Sequence, residues 1–217
     1  MRQHRPTCSF VDVTESSATS RTTAAGRPEA DTPQLFKDAV ESLYISGLRP
    51  ELSLGTIRPP QKLATHSHAI GVELVRPEDS NSTTPVDASG DAFGRLILLC
   101  EPGGDATWEG EMRLVAYIQA DMDDAVAGDP LLPDVAWDWL REGLESTGAD
   151  HSNLGGTVTS TASVRFGDIG GPPRAFQLEL RASWTATGPD LSAHVRAFAN
   201  VLANVAGLPP EGVASIG

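Results

Sequence analysis

Lysine is nearly missing from this chain. Lys37 and Lys62 are its two lysines, and the other basic residues are arginines placed singly along 217 residues. Against 29 Asp and Glu they leave a formal net charge of −13. A field of that sign repels phosphate backbones and anionic lipid surfaces, so nucleic acid or membrane would need a local basic patch, and the linear sequence contains none. Cysteine is as scarce. Cys8 and Cys100 do not make the stapled framework of a small secreted domain, which points to a reducing cytoplasm. No window approaches the roughly 18 apolar residues of a membrane span. MRQHRPTCSFVDVTESS has early arginines but no apolar stretch of the kind a signal peptide carries. The chain also lacks a Gly-x-Ser-x-Gly elbow, a Cys and His pairing suited to nucleophilic attack, and the strand-glycine-helix order of a phosphate cradle. No catalytic set is assembled and no cofactor is implied.

With 40% hydrophobic and 21% charged residues, what is present suits one compact domain with a real core. Residues 1–31, typified by SSATSRTTAAGRPEAD, show no sustained apolar period and are expected to form a disordered tail. The domain is expected over 32–210, followed by a short C-terminal tail at 211–217. Thr32 and Pro33 suit an N-cap and first helical position, and Leu35, Phe36, Ala39, Val40 and Leu43 form one helical stripe ending near Gly47. Pro50, Pro59 and Pro60 then exclude a helix, so LRPELSLGTIRPPQKLATHSH should run as an extended loop or an edge strand.

Alternation marks the strands. AIGVELV, FGRLILLC and EMRLVAYIQA predict a three-strand antiparallel meander, with the polar RPEDSNSTTPVDASGDA as a long loop between the first two. The acidic DMDDAVAGD lacks the ligand spacing of a calcium loop and is expected as a solvated turn. DVAWDWLREGLESTG predicts a helix burying Val135, Ala136, Trp139, Leu140 and Leu144, closed by Gly148. TVTSTASVRF and AFQLELRASWTA alternate closely, joined by a Gly-Gly-Pro-Pro turn, and leave one sheet face wet or waiting for a partner. A last helix, capped by Asp190, carries Leu191, Val195, Phe198, Leu202 and Val205 and stops at Gly207. That stripe reads as a core seam, with a homodimer seam or partner groove as the alternative. The order α-β-β-β-α-β-β-α predicts an α+β fold with an antiparallel sheet of about five strands and three amphipathic helices. It resembles the layout of type III secretion chaperones in element order.

The chemistry-bearing stretch is RPPQKLATHSH. On a strand His66 and His68 share a face, and with Arg58 and Lys62 they are the candidate ligand-binding residues, for a small anionic molecule. A metal would need further ligands, and no second cluster offers them; His151 and His194 read as a loop and a helix residue with unremarkable neighbours. The expected role is therefore a non-catalytic interaction, adaptor or chaperone-like module with a protein partner. The alternative is an anionic-metabolite binding protein or enzyme using the Arg58 to His68 loop.

The segments LRPELSLGTIRPPQKLA, SHAIGVEL, GRLILL, DPLLPDVAWDWL, LGGTVTSTASVRFGD, LRASWT and AGLPPEGV together resemble an actinobacterial family catalogued as domain of unknown function three thousand, over residues 32–213. That resemblance implies a cytoplasmic protein and carries no catalytic or binding residue over to this chain.

Overall fold

Backbone pairing turns the alternating segments into a single antiparallel sheet in the computed structural model, which describes residues 32–75, 92–168 and 174–210. The strands are β1 (Leu52–Thr56), β2 (His66–Leu74), β3 (Ala92–Asp105), β4 (Gly110–Met122), β5 (His151–Val164) and β6 (Arg174–Ala186). The helices are α1 (Gln34–Ser42), α2 (Asp124–Ala127), α3 (Leu132–Thr147) and α4 (Ser192–Val205). The sheet has six strands in the order β1-β2-β3-β4-β6-β5, and every pair is antiparallel. The α+β class holds, with three substantial helices. The additional strand is β1, from the stretch expected as a loop or edge strand. Pro50 before it and Pro59 and Pro60 after it confine it to five residues at one edge.

Paired residues share a face, so the register Ile70↔Leu96↔Ala116↔Ala182↔Gly156 carries even-numbered positions to one side across the sheet. That side is the core. Ile70, Leu96, Leu98, Leu114, Ile118, Leu180 and Trp184 are buried there beneath the helices. The expected stripe of α4 is buried throughout, together with His194, Ala197 and Val201, so it is a core seam within the chain and offers no outer surface. Phe198 lies directly over Gly94 of β3, where an added Cβ would stand 2.5 Å from the ring. On α3 the buried positions are Leu132, Ala136, Leu140 and Leu144, four apart. Val135 is 40% exposed, contrary to the expected stripe, while Trp137 packs beside Gly156 of β5. Trp139 is half-buried.

Helix ends depart from expectation in three places. The residue capping α1 is Pro33 without a side-chain bond, so Thr32 does not cap it, and the helix closes at Leu43 before a turn that ends on Gly47 at φ 75°. The acidic connection contains α2 and is more than a turn. Gly148 does close α3 in the left-handed conformation, with Ala149 N–H bonded to the Leu144 carbonyl at 2.9 Å. The N-cap position of α4 is Leu191, without a side-chain bond, and not Asp190 as expected; Asp190 stands one residue before it and accepts the Ser192 N–H at 3.0 Å. His151 belongs to β5 and not to a loop. The tails at 1–31 and 211–217, the loop at 76–91 and the Gly-Gly-Pro-Pro turn at 170–173 lie outside the described residues. No helix among the described residues is long and apolar enough to cross a membrane.

Candidate functional site

Two places carry chemistry. The first is the predicted histidine pair. On β2, His66 and His68 share a face as expected, which is the core side, and α1 lies against His66 while the turn after it lies against His68. The Phe36 ring is 5.3 Å from that of His66, and Tyr44 meets His68 edge-on at 5.9 Å. The Tyr44 hydroxyl is 2.7 Å from His68 Nε2 and also bonds Thr56 of β1, which pairs with Ile70 on the same face. Burial holds His68 below the ordinary imidazole range, which leaves it neutral near pH 7 and suited to a hydrogen bond with a phenol more than to an anion.

The two cations stand elsewhere. Arg58 and Lys62 are exposed on the loop leading into β2, with Lys62 at φ 67°. Ser67, on the opposite face from the histidines, donates to the Pro60 carbonyl at 3.1 Å, which seats the loop at Pro60. Its end is tied down where the Glu101 carboxylate accepts the Thr65 N–H at 3.0 Å and hydroxyl at 2.6 Å. Those bonds hold the Glu101 pKa below its ordinary value. The structure thus gathers His66 and His68 with Phe36, Tyr44 and Thr56, and leaves Arg58 and Lys62 exposed on the loop before β2. Among the described residues, no three His, Cys, Asp or Glu side chains gather as a metal site would require.

The second place is the odd-numbered face of the central strands, opposite the helices. Pairing sets Phe93 beside Gln119, Arg95 beside Tyr117, and Tyr117 beside Arg181. The Phe93 and Tyr117 rings are 6.0 Å apart; the Arg95 guanidinium lies 5.6 Å over Phe93, and that of Arg181 lies 5.4 Å over Tyr117. Arg181 Nε is 2.8 Å from Glu179. The Tyr117 hydroxyl sits 2.6 Å from Gln119 Oε1 and 2.8 Å from Glu179 Oε2, so one hydrogen serves both acceptors. Burial first, and the Glu179 carboxylate second, raise the Tyr117 pKa, so the phenol stays a donor. The bond from Tyr117, then those from Arg181, hold Glu179 low. A shallow hollow of about 420 Å³ opens among Phe93, Arg95, Ile97, Tyr117 and Gln119.

Toward β5, Arg113 fixes the rim of this face. It donates to the Asn153 carbonyl at 3.0 Å, Thr185 Oγ1 at 3.1 Å and Ser183 Oγ at 2.7 Å, and burial lowers its pKa from the usual guanidinium value. Arg95, Arg113 and Arg181 are remote in sequence, and only the β3-β4-β6 order brings them together. The readable signal was alternation, since all three occupy odd positions of alternating segments. Their adjacency was not readable. This array stacks rings and exchanges hydrogen bonds, with the Tyr117 phenol as a donor to Glu179.

A family model described as "Protein of unknown function (DUF3000)" matches residues 32–214. No curated protein and no solved structure matches the chain.

Proposed function

The chain belongs to the DUF3000 family, and from that premise we propose that it is a non-catalytic interaction module, an adaptor or chaperone-like partner of another cytoplasmic protein. The contact surface is the odd-numbered sheet face. The observation that carries this reading is the ring and guanidinium array of Phe93, Arg95, Tyr117 and Arg181 on the side of the sheet away from α3 and α4. Tyrosine and arginine are enriched at the centres of protein interfaces and lysine is depleted, and this face follows that pattern. Phe93 is buried under the array, so the partner this face fits presents an apolar patch to the half-buried Tyr117 ring, edged by carboxylates for the arginines. A cytoplasmic setting is supported by Cys100, a buried free thiol whose pKa is raised by burial and then by Glu111 and Glu101.

The test is capture from the native cell by the immobilised full chain, in parallel with a Tyr117→Ala/Arg181→Ala double variant. Loss of two interface anchors should weaken a genuine partner by about 2 kcal/mol or more, roughly thirtyfold in Kd. The circular dichroism spectrum should stay unchanged. A Val135→Ser control on the exposed side of α3 should retain the partner. Identical captured proteins with and without the array would overturn the reading. So would turnover of an anionic metabolite that is abolished by Arg58→Ala or His68→Ala, which would promote the loop as the site.

A further inference from the structure

Strands at the two edges of the sheet are treated very differently. β1 is five residues long and bracketed by prolines, a combination that blunts an edge against pairing. β5 is fourteen residues long and has β6 as its one strand neighbour. A bulge between Ser152 and Gly155 breaks its first part, with Asn153 at φ 51°. From Gly156 to Val164 the pairing with β6 is regular, and the outward backbone groups of this stretch meet no strand among the described residues. Its sequence, GTVTSTASV, contains no charged residue and no proline, in a chain of net charge −13. None of the residue-type devices that keep an edge solitary is present there.

The same stretch is nearly symmetric about Ser160. Thr159 and Thr161 flank it, then Val158 and Ala162, then Thr157 and Ser163, then Gly156 and Val164. Beyond its end Val164 is 53% exposed and Phe166 is 79% exposed. At its start Leu154 packs on the core, and Trp137 lies against Gly156.

We propose that two copies of this chain pair edge to edge along β5, antiparallel, about a two-fold axis through Ser160. An axis normal to the sheet keeps opposed residues on matching faces, so both helix layers lie on one side of a continuous sheet. Thr159 of each copy then opposes Thr161 of the other, and Thr157 opposes Ser163, the hydroxyl pairs that stabilise neighbouring strands. Val164 meets Gly156 of the second copy beside its Trp137, and Phe166 meets Leu154. The bare apolar end of each strand is covered by the glycine and leucine end of the other. Two molecules of net charge −13 meet along a central line, Gly156 to Val164, that carries no charge, with Arg165 just beyond each end. An arbitrary extended peptide would need an open edge but not this internal symmetry, and for that reason the occupant is a second copy. The pairing uses a strand edge and leaves the odd-numbered face free, so it stands or falls separately from the partner reading above.

The test uses the full chain in light scattering coupled to size exclusion. The wild type should run as a dimer. Ser160 is exposed, and Ser160→Lys sets two like charges opposite each other at the axis, which should halve the mass while leaving the circular dichroism intact. Ser160→Glu should do the same. Mixing the two variants should restore a dimer that contains one of each, a recovery that misfolding would not produce. Ser160→Cys in a Cys8→Ser background should form a disulfide-linked dimer on mild oxidation, because directly opposed strand residues lie within about 4.5–5.5 Å between Cα atoms. A monomeric wild type overturns the proposal, as does a dimer whose mass is indifferent to Ser160→Lys. Loss of the dimer in both charge variants with no recovery on mixing overturns the Ser160 axis.

Discussion

His194 is the residue whose environment departs furthest from what its own identity suggests. It is buried on α4, and the Trp184 indole N–H donates to its Nδ1 at 3.1 Å, with the rings stacked 6.2 Å apart. Nδ1 is therefore the acceptor, and a proton there would break the bond. Burial first, and His151 second, lower its pKa to about 4 against the upward pull of Asp150 and Asp190. Because the folded pKa lies below the unfolded value near 6.5, the unfolded chain binds the extra proton between those values. Stability from this group is complete above 6.5 and falls as the pH drops toward 4. Between about pH 7.5 and about pH 4.5 the loss should be about 2–3 kcal/mol. Urea melts at both pH values check this: His194→Gln, which still offers an amide oxygen to Trp184 but does not titrate, should flatten the difference by that amount. An unchanged difference would remove His194 as its source. Part of this was legible, since His194 stands four residues before Phe198 and seven before Val201, on an apolar side of the helix. Its indole partner comes from another element and left no mark in the local pattern.

Among elements, the close contacts at glycine show how the helices are seated. The Phe198 ring of α4 occupies the space that a side chain at Gly94 of β3 would need, and that ring is itself fully buried with little freedom to move. Gly94→Ala should therefore cost about 1–3 kcal/mol by overpacking. The double variant Gly94→Ala/Phe198→Leu should lose less than the sum of the two single variants, because the smaller side chain vacates the contested volume. Additive losses in denaturant melts would mean the contact is not the cause. The strands were readable wherever one face is buried: β4 alternates from Met112 to Ala120 and β6 from Leu178 to Trp184 because each carries a core face. β1 was ambiguous because five residues between prolines hold too few alternations to decide. The phase of α3 was misjudged at Val135 because periodicity locates an apolar stripe without saying how wide a neighbour covers it, and here Trp137 takes the contact with β5 instead.

For the whole molecule, alternation predicts that strands exist but not which ones are neighbours. The predicted meander is present as β2-β3-β4, but the placement of β6 inside and β5 outside follows from the crossing made through α3. That placement builds the arginine face and exposes the β5 edge, which is why neither was visible in the sequence. The β4–β6 junction has a kinetic consequence as well. Its partners are 54 to 72 residues apart along the chain, whereas the β3–β4 and β5–β6 pairs join strands that follow each other directly. Closing so long a loop costs chain entropy before any contact rewards it. The two halves can therefore form early, with their joining as the slow event. In stopped-flow measurements Leu180→Ala, at the junction, should slow refolding, while Leu52→Ala on β1 should chiefly speed unfolding. A junction variant that moves the unfolding limb alone would place the closure of β4 on β6 after the barrier. With closure at the barrier, the half-built molecule exposes the backbone edges of β4 and β6 during synthesis, and the interval before they meet is when the chain is most open to aggregation or to a chaperone.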